Sequence, residues 1–232
     1  MIHVLLTSNK LQRLTPAQVQ ADERRGALIL DIRAAEQFAS FHIRGAMHIG
    51  LAGPFAIWAA LLIKPAQMLI VVAEDEASAH EAQSRLSRVR LSHVAGYTIA
   101  DKRQWEECGI PLSSFCIAWW RDVCRQFEAG GALQLIDVRS RAEWLKGHLP
   151  GAISLPLLTI NSAASSVDFS KPSLLYCEEG YRAATAASVL LRQSVADVGI
   201  LVDGEEAWQA SQLPANPLEV SGSGPLCGAA TD

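Results

Sequence analysis

Short apolar runs alternate along the chain with segments that have helical periodicity. Thr15-Pro16-Ala17-Gln18 has the form of a capping box with proline at the first helical position. The helix that it opens should run to about Arg25 and end at Gly26. Residues 27–33 then form an apolar run with a charged end, which is typical of a buried strand whose end emerges from a sheet. The pattern therefore predicts a helix followed by a strand.

The same order of elements returns in the second half of the chain. Residues 119–128 predict a helix that Gly130-Gly131 closes, and residues 133–139 predict a strand. Asp31 and Asp137 occupy the same place in the two copies and lie 106 positions apart. A repeat of this length indicates a duplicated domain, because solenoid units are only about 20–50 residues long. The other pairs at this spacing are Phe38 with Trp144, His42 with His148, Gly45 with Gly151 and Ala46 with Ala152.

Each copy alternates strands with helices, so the predicted fold class is α/β. We expect two domains, each a small, mainly parallel sheet with helices on both faces. The predicted domains are residues 1–112 and 113–215, followed by a flexible tail over residues 216–232. Residues 45–63 are uncharged and long enough to suggest a membrane span, but glycine and proline interrupt them. We predict a strand, a loop and a buried helix there.

Composition excludes several classes of protein. Of the 232 residues, 50% are apolar and 19% are charged, which allows a substantial core and excludes global disorder. The net charge of −4 and the lack of a sustained basic run argue against nucleic acid and anionic membrane as partners. Lys10 and Arg13 follow only a brief apolar run, so we expect no signal peptide.

The cysteines are odd in number and form no Cys-x-x-Cys pair. They are Cys108, Cys116, Cys124, Cys177 and Cys227. A metal site or a disulfide framework is therefore not expected, and nothing in the sequence calls for a cofactor. Reduced thiols in a cytoplasmic protein fit this pattern better.

Cys177 differs from the other cysteines in its surroundings. Residues 174–176 predict a short strand, and a six-residue turn that begins at the cysteine leads into a helix rich in alanine and leucine. Free N–H groups at a helix N-terminus stabilise an anion, so this thiol should ionise more easily than a free one. Residues 178–182 contain no proline and can all donate an N–H, and Gly180 permits the positive φ of a tight turn. These features suit a nucleophilic sulfur that holds a second, negatively charged sulfur.

The alternative interpretation is that Cys177 is a small buried hydrophobic residue, as most free cysteines are. Gly180 and Arg182 stand three and five positions after it and favour the nucleophile, because a core cysteine requires neither.

The first copy lacks the thiol loop. Ala73 stands at the position that matches Cys177, and Glu76 and Ser78 stand where the glycine and the arginine would be. We therefore predict that the first domain has no catalytic cysteine. It would pack on the active half, shape the site entrance or bind a partner.

Two copies of Asp-x-Arg followed by His-x-x-Gly-Ala, with a Cys-x-x-Gly-x-Arg loop only in the second, resemble a tandem-domain rhodanese. The resemblance runs from about Leu14 to Pro214 and implies an inactive first domain and an active second one. It implies a rhodanese-type sulfurtransferase that resembles the thiosulfate sulfurtransferases. Cys177 would take a sulfane sulfur from thiosulfate or a persulfide, carry it as a persulfide, and give it to a thiol or another nucleophile. The partners would be a small-molecule or protein sulfur donor and a thiol acceptor.

Two other functions stay open at this point. A non-catalytic sulfur carrier or binding module could use the same loop. A cysteine phosphatase or an arsenate reductase is the other alternative. Cysteine phosphatases use Cys-x5-Arg, a wider ring around a phosphate, whereas Cys177 to Arg182 is Cys-x4-Arg. The tighter ring suits one sulfur atom better than a tetrahedral oxyanion.

Several further residues belong to the candidate site. Arg182 is the second candidate catalytic residue, because it could order the loop or steer an anionic donor. Asp137 and Arg139 end the neighbouring strand, where Asp137 could pair with Arg182 or cap the loop. The alternative is a fold-maintaining ion pair, since the first copy keeps the same two residues without a thiol. The candidate loop and mouth residues are Glu178, Glu179, Gly180 and Tyr181.

Glutamates stand where the resemblance implies basic residues. Enzymes of this kind that act on thiosulfate or mercaptopyruvate have an arginine six residues after the strand aspartate, where this chain has Glu143. Thiosulfate enzymes also have basic residues just after the cysteine, where this chain has Glu178 and Glu179. We expect these charges to repel a dianion, so free thiosulfate should be a poor donor. The natural donor and acceptor, the oligomeric state and any role of Cys227 stay open.

Overall fold

The computed structural model of the protein describes residues 11–128, 133–149 and 151–203. Helices alternate with strands in both halves. The helices are α1 (Pro16–Arg24), α2 (Ala35–Ser40), α3 (Phe55–Leu62), α4 (Glu76–Arg88), α5 (Lys102–Glu107), α6 (Trp120–Glu128), α7 (Arg141–Lys146), α8 (Ile160–Ala163) and α9 (Tyr181–Arg192). The strands are β1 (Leu28–Asp31), β2 (His42–Ile43), β3 (Met47–His48), β4 (Leu69–Ala73), β5 (Val94–Ile99), β6 (Leu112–Ser113), β7 (Cys116–Ala118), β8 (Gln134–Asp137), β9 (Ile153–Ser154), β10 (Ser173–Tyr176) and β11 (Val198–Leu201).

Nine of the described strands form two parallel sheets, one in each half of the chain, and β2 and β6 form a separate antiparallel pair. The first sheet has the order β3-β1-β4-β5, and the second has the order β7-β11-β10-β8-β9. Asp31 lies beside Val72 in the first sheet, and Asp137 lies beside Tyr176 in the second, so the two copies share one register. The chain passes between the halves after β6, which pairs with β2, and before β7, which pairs with β11. The predicted α/β class with two mainly parallel sheets is confirmed.

Helix α1 begins and ends where the sequence predicts. The Thr15 hydroxyl accepts a hydrogen bond from the Gln18 N–H, and the Gln18 side chain accepts one from the Thr15 N–H at 2.8 Å. Gly26 follows the C-cap with a φ of +94°, a conformation that glycine adopts without a steric penalty.

Helix α3 follows β3 and a loop, as predicted, but only one of its faces is buried. Phe55 and Ala59 are buried, whereas Ile57 is 61% exposed and Leu61 is 53% exposed. The expectation of a buried helix is therefore wrong for the second face. Helix α3 thus packs along one stripe, although its sequence is apolar all round. None of the helices in the described part of the chain is long and apolar enough to cross a membrane.

Helix α9 lies between the two domains. Its residues 183–190 are all buried, because it packs against β10 and β11 of its own domain and against β3 of the first. A single apolar cluster contains residues of both sheets and of this helix. Two polar contacts join the helix to the first domain. The Ser188 hydroxyl accepts from the His48 N–H at 2.9 Å, and Arg192 donates to the Gly45 carbonyl.

The cysteines differ from expectation at one position. Cys108 is an exposed free thiol and Cys177 is a buried one, whereas Cys116 is disulfide-bonded. The expectation of reduced thiols is wrong at Cys116, since a disulfide requires proximity in the fold rather than a sequence motif. The Gly130-Gly131 helix stop, the tail and Cys227 lie outside the described residues.

Candidate active site

The Asp-x-Arg sequence forms the same buried ion pair in both domains. Arg139 donates from Nε and Nη2 to the Asp137 carboxylate over 2.7 to 3.1 Å, and Arg33 donates to Asp31 over the same range. Each guanidinium also donates to a carbonyl just beyond the next helix, that of Gly147 at 2.7 Å in the second domain. The equivalent bond in the first domain, to Phe41, measures 2.8 Å. Since the first domain has no thiol at the matching place, these contacts support the interpretation that the pair maintains the fold.

Cys177 follows β10 directly and begins a four-residue turn, which is shorter than the six residues predicted. The helix begins early because Gly180 has a φ of +76° and turns the chain into α9 at Tyr181. No side chain caps this helix. The backbone N–H groups of residues 178–183 donate to no other described residue. Their donors are therefore available at the helix N-terminus that follows the thiol.

The equivalent turn of the first domain is one residue shorter and contains a carboxylate. Strand β4 ends at Ala73, and α4 begins at Glu76 after its N-cap, Asp75. The Asp75 carboxylate accepts a hydrogen bond from the Ser78 N–H at 2.7 Å. Asp75, rather than Glu76, thus stands at the place of Gly180. Hydrogen bonds from Ser78 lower the pKa of Asp75, so the carboxylate is ionised at neutral pH.

Arg182 forms a bidentate ion pair with Glu143, at 2.9 Å through Nη1 and 2.8 Å through Nη2. Ser140 caps α7 and donates to the same carboxylate from its N–H and its hydroxyl. The hydrogen bonds from Arg182 have the largest effect on the pKa of Glu143, and they lower it. Burial raises this pKa, and the hydrogen bonds from Ser140 lower it again, so that the pKa falls to about 2. Burial would lower the pKa of Arg182, but Glu143 and the neighbouring Cys177 raise it. Glu143 therefore neutralises the arginine beside the thiol.

The ring of Tyr181 reaches from the thiol loop into the first domain. A Cβ on Gly53 would lie 2.5 Å from this ring, and one on Gly50 would lie 3.2 Å from it. The two glycines leave the space that the ring fills, and the His48 ring lies 6.4 Å away, edge to face. The Tyr181 hydroxyl is buried without a hydrogen-bond partner among the described residues. The first domain thus forms the surface on which the loop of the second domain rests.

A cavity of about 790 Å³ lies between the two domains and reaches Cys177. The second domain lines it with residues of the thiol loop and the first turn of α9. The first domain lines it with residues 32–36, the loop 50–54, Trp58 and part of α4. Since Cys177 is only 1% exposed, this cavity is the route from solvent to the thiol.

Charged groups from both domains line the cavity, and acidic groups outnumber basic ones. Each of its arginines has a carboxylate partner: Arg33 pairs with Asp31, Arg85 with Glu81 and Arg182 with Glu143. The other acidic lining residues are all exposed, and they are Glu36, Glu74, Glu178 and Glu179. Within the described ranges, the shortest ion pair that any of these four makes is the 3.9 Å contact between Glu178 and Arg182. The rim of the cavity is therefore negatively charged.

The structure brings five of the predicted site residues to the cavity. They are Cys177, Glu178, Glu179, Tyr181 and Arg182, with Gly180 at the cap of the helix. Asp137, Arg139 and Glu143 do not line it. Of the two interpretations of Asp137, the ion pair with Arg139 is the one that the structure contains, because the Arg182 guanidinium reaches Glu143 instead.

Sequence reasoning missed the part of the site that the first domain contributes, chiefly Glu36, Glu74 and Arg85. One signal pointed toward it. Glu74 directly follows the strand that matches β10, and the carboxyl ends of parallel strands are where α/β proteins place their sites.

The fold and the site define a two-domain α/β protein with a buried thiol between a parallel strand and an uncapped helix, in one copy of a duplicated domain. The family model of the rhodanese-like domain matches residues 15–101 and again residues 122–211. The chain therefore belongs to the rhodanese family and contains two rhodanese-like domains.

Parts of the chain are similar to bacterial proteins. The uncharacterized protein YqhL of Bacillus subtilis is 33% identical over 84 residues, which cover 36% of this chain and 67% of YqhL. The probable adenylyltransferase/sulfurtransferase MoeZ of Mycobacterium tuberculosis is 31% identical over 96 residues, 40% of this chain and 24% of MoeZ. The chain thus spans about a quarter of MoeZ.

Among solved structures, the thiosulfate sulfurtransferase of Pseudomonas aeruginosa is 23% identical, with a TM-score of 0.39 over 85% of this chain and 44% of that chain. SseA of Escherichia coli, a 3-mercaptopyruvate sulfotransferase, is 19% identical, with a TM-score of 0.38 over 84% of this chain and 98% of that one.

Proposed function

We propose that this protein is a sulfurtransferase in which the second domain carries the reaction and the first has no nucleophile of its own. One observation carries the proposal: Cys177 ends a strand at a cavity, before a helix whose N–H groups at residues 178–183 have no described acceptor. A negative charge on a sulfur bound to Cys177 would supply that acceptor. The first domain offers Ala73 and the charged cap Asp75 at the matching places.

In the first half of the reaction, the Cys177 thiolate attacks the sulfane sulfur of a donor. A bond forms between Sγ and the sulfane sulfur, and the sulfur–sulfur bond of the donor breaks. The rest of the donor leaves with the bonding electron pair, as a thiolate from a persulfide or as sulfite from thiosulfate. The product is a persulfide whose outer sulfur carries the negative charge toward the free N–H groups.

In the second half, an acceptor thiolate attacks the outer sulfur of the persulfide. The new sulfur–sulfur bond forms on the acceptor, the bond to Cys177 Sγ breaks, and Cys177 leaves as the thiolate. The acceptor departs as a persulfide. Two nucleophilic displacements at sulfur thus complete the cycle and return Cys177 to its starting state.

Arg182 would stabilise the negative sulfur from the side of the loop. Its guanidinium is fixed by two hydrogen bonds to Glu143, which itself is held by Ser140. Because this pairing removes most of the net charge, Arg182 acts mainly as an oriented donor rather than as a free cation. Glu143 is then a positioning residue for Arg182.

The proposal is tested by following sulfur on the protein itself. The wild-type protein is incubated with a polysulfide or with thiosulfate, and its peptides are weighed. We expect Cys177 to gain the mass of one sulfur atom and to lose it when a thiol is added, with the sulfur recovered on that thiol.

Cys177→Ser should abolish this transfer, a loss of at least about a thousandfold. The matched control is Cys108→Ser, which removes an exposed free thiol of the first domain and should leave the transfer unchanged. Transfer that persists in Cys177→Ser would overturn the mechanism. A persulfide that forms on Cys177 but never passes to a thiol would indicate a sulfur-binding module instead.

A further inference from the structure

We propose that the small molecule that exchanges sulfur with Cys177 carries a positive charge, as an amino thiol or its persulfide does. This inference rests on the proposed function and adds the chemical class of the substrate. It is carried by the cavity between the two domains, in which a buried thiol lies beneath a negatively charged rim.

The two ends of the cavity have opposite electrostatic character. At the thiol, the helix N-terminus offers N–H donors that favour an anionic sulfur. At the rim, exposed carboxylates come from both domains: Glu178 and Glu179 from the second, Glu36 and Glu74 from the first. A ligand with an anionic sulfur at one end and a cationic group at the other matches both ends.

The arginines in the cavity wall do not neutralise the negative charge of the rim. Arg33, Arg85 and Arg182 are each bound to a carboxylate that lies in or beside the wall. The described lining residues contain no other lysine or arginine and no histidine. An anionic substrate would therefore meet a repulsive rim before it reached the donors at the thiol.

The wall also offers apolar and aromatic contacts. Trp58 and Tyr181 line the cavity together with Ile32 and Leu51. Aromatic rings attract ammonium groups more strongly than they attract neutral or anionic ones. A cationic ligand is thus favoured by the rim and by the aromatic part of the wall.

The test compares thiol reagents that differ in charge but share a reactive group. The 2-aminoethyl, 2-hydroxyethyl and 2-sulfonatoethyl methanethiosulfonates are cationic, neutral and anionic, and each forms a disulfide with a thiol. Their rates at Cys177, followed on its peptide by mass spectrometry, are divided by their rates with free 2-mercaptoethanol. This division removes the intrinsic reactivity of each reagent.

We expect the corrected rates to fall in the order cation, neutral, anion, with the cation ahead of the anion by about tenfold or more at low salt. Added salt should narrow this ratio, because it screens the exposed carboxylates. The double variant Glu36→Gln/Glu74→Gln should reduce the ratio about fivefold. The matched control is Glu106→Gln, an exposed glutamate outside the cavity, which should leave the ratio unchanged.

A corrected rate for the anion that equals or exceeds that for the cation would overturn the inference. An unchanged ratio in the double variant would overturn it too. This result is separate from the sulfur-transfer test, because the reagents need only a thiol. If Cys177 takes up sulfur but reacts equally with both charges, the charge preference fails and the sulfurtransferase stands. If it prefers the cation but never takes up sulfur, the sulfurtransferase fails and the inferred sulfur substrate fails with it, although the cavity still selects cations.

Discussion

The N-termini of α4 and α9 stand at equivalent places in two copies of one domain, but only that of α4 is capped by a side chain. In α4, Asp75 has a φ of −147° and its carboxylate accepts from the Ser78 N–H. In α9, Gly180 has a φ of +76° and offers no side chain at all. One helix end is occupied by a charge of the protein itself, and the other is open.

The difference teaches how a helix N-terminus can be left without a side-chain cap at a cost in local stability. An N-cap such as Asp75 stabilises a helix, because it satisfies an N–H that the helix cannot. The same carboxylate fills the place and supplies the charge that a bound anion would otherwise have. Helix α9 lacks this contribution and is held instead by the burial of residues 183–190.

The largest effect should come from making the open end resemble the closed one. Gly180→Asp and Gly180→Asn introduce side chains of nearly equal size that both tolerate a positive φ. Only the aspartate adds a negative charge near the sulfur. Discounted for solvent, we expect it to slow sulfur loading of Cys177 about tenfold more than the asparagine does. The measurement is the single-turnover rate of persulfide formation by mass spectrometry.

Equal rates for the two variants would contradict the view that this helix end binds a negative sulfur. Thermal unfolding of both variants serves as the control for folding, since each should lose a similar amount of stability from the strained φ.

An effect on stability should come from the glycines that leave space for the Tyr181 ring. Gly53→Ala places a Cβ at about 2.5 Å from the ring, so the ring or the loop must move. We expect a loss of about 1–3 kcal/mol in the free energy of unfolding, measured with urea. In a Tyr181→Ala background the same change should cost less than half as much, because the ring that it meets is gone. Equal costs in both backgrounds would show that Tyr181 does not occupy this space.

The smallest effect concerns the pair formed by Glu143 and Arg182. The first copy has Gln37 at the place of Glu143, so Glu143→Gln makes the second domain more like the first. The pKa of Glu143 is lowered from 4.5 to about 2, so its stabilising contribution is fully present above pH 4.5 and is lost as the pH falls toward 2.

The difference in unfolding free energy between wild type and Glu143→Gln should therefore be largest near neutral pH, shrink as the pH falls below 4.5 and vanish only below pH 2. Urea unfolding at several pH values measures it, with Gln37→Glu as the matched change in the other copy. A difference that stays constant with pH would show that the carboxylate is not stabilised by Arg182.

The fold could be predicted because the repeat fixes the strand ends. The spacing from Asp31 to Asp137 places the same ion pair at the same edge of both sheets, and the apolar runs before them are long enough only for strands. The cysteine loop followed from the residues around Cys177. These features depend on local sequence, where spacing carries the information.

The rest of the site depends on how the two domains pack, which local patterns do not encode. Gly50 and Gly53 could be recognised as interruptions of an apolar segment, but not as the residues that leave space for the ring of Tyr181. Glu143 could be recognised as an acidic residue in place of a basic one. Its partner is 39 positions away, so the sequence does not reveal that Glu143 pairs with Arg182. The sequence predicts a buried α3 because composition does not reveal which face of a helix has a neighbour.

Because α9 packs on both domains, the domain boundary in the sequence does not separate two independent folding units. The chain crosses between the sheets near residue 114, yet the apolar cluster around α9 continues across that point without a break. Neither half can lose its structure without exposing apolar surface of the other, so the pair should melt cooperatively, in one calorimetric transition rather than two. Each copy of the domain is thus half of one folding unit, although its length is that of a complete domain.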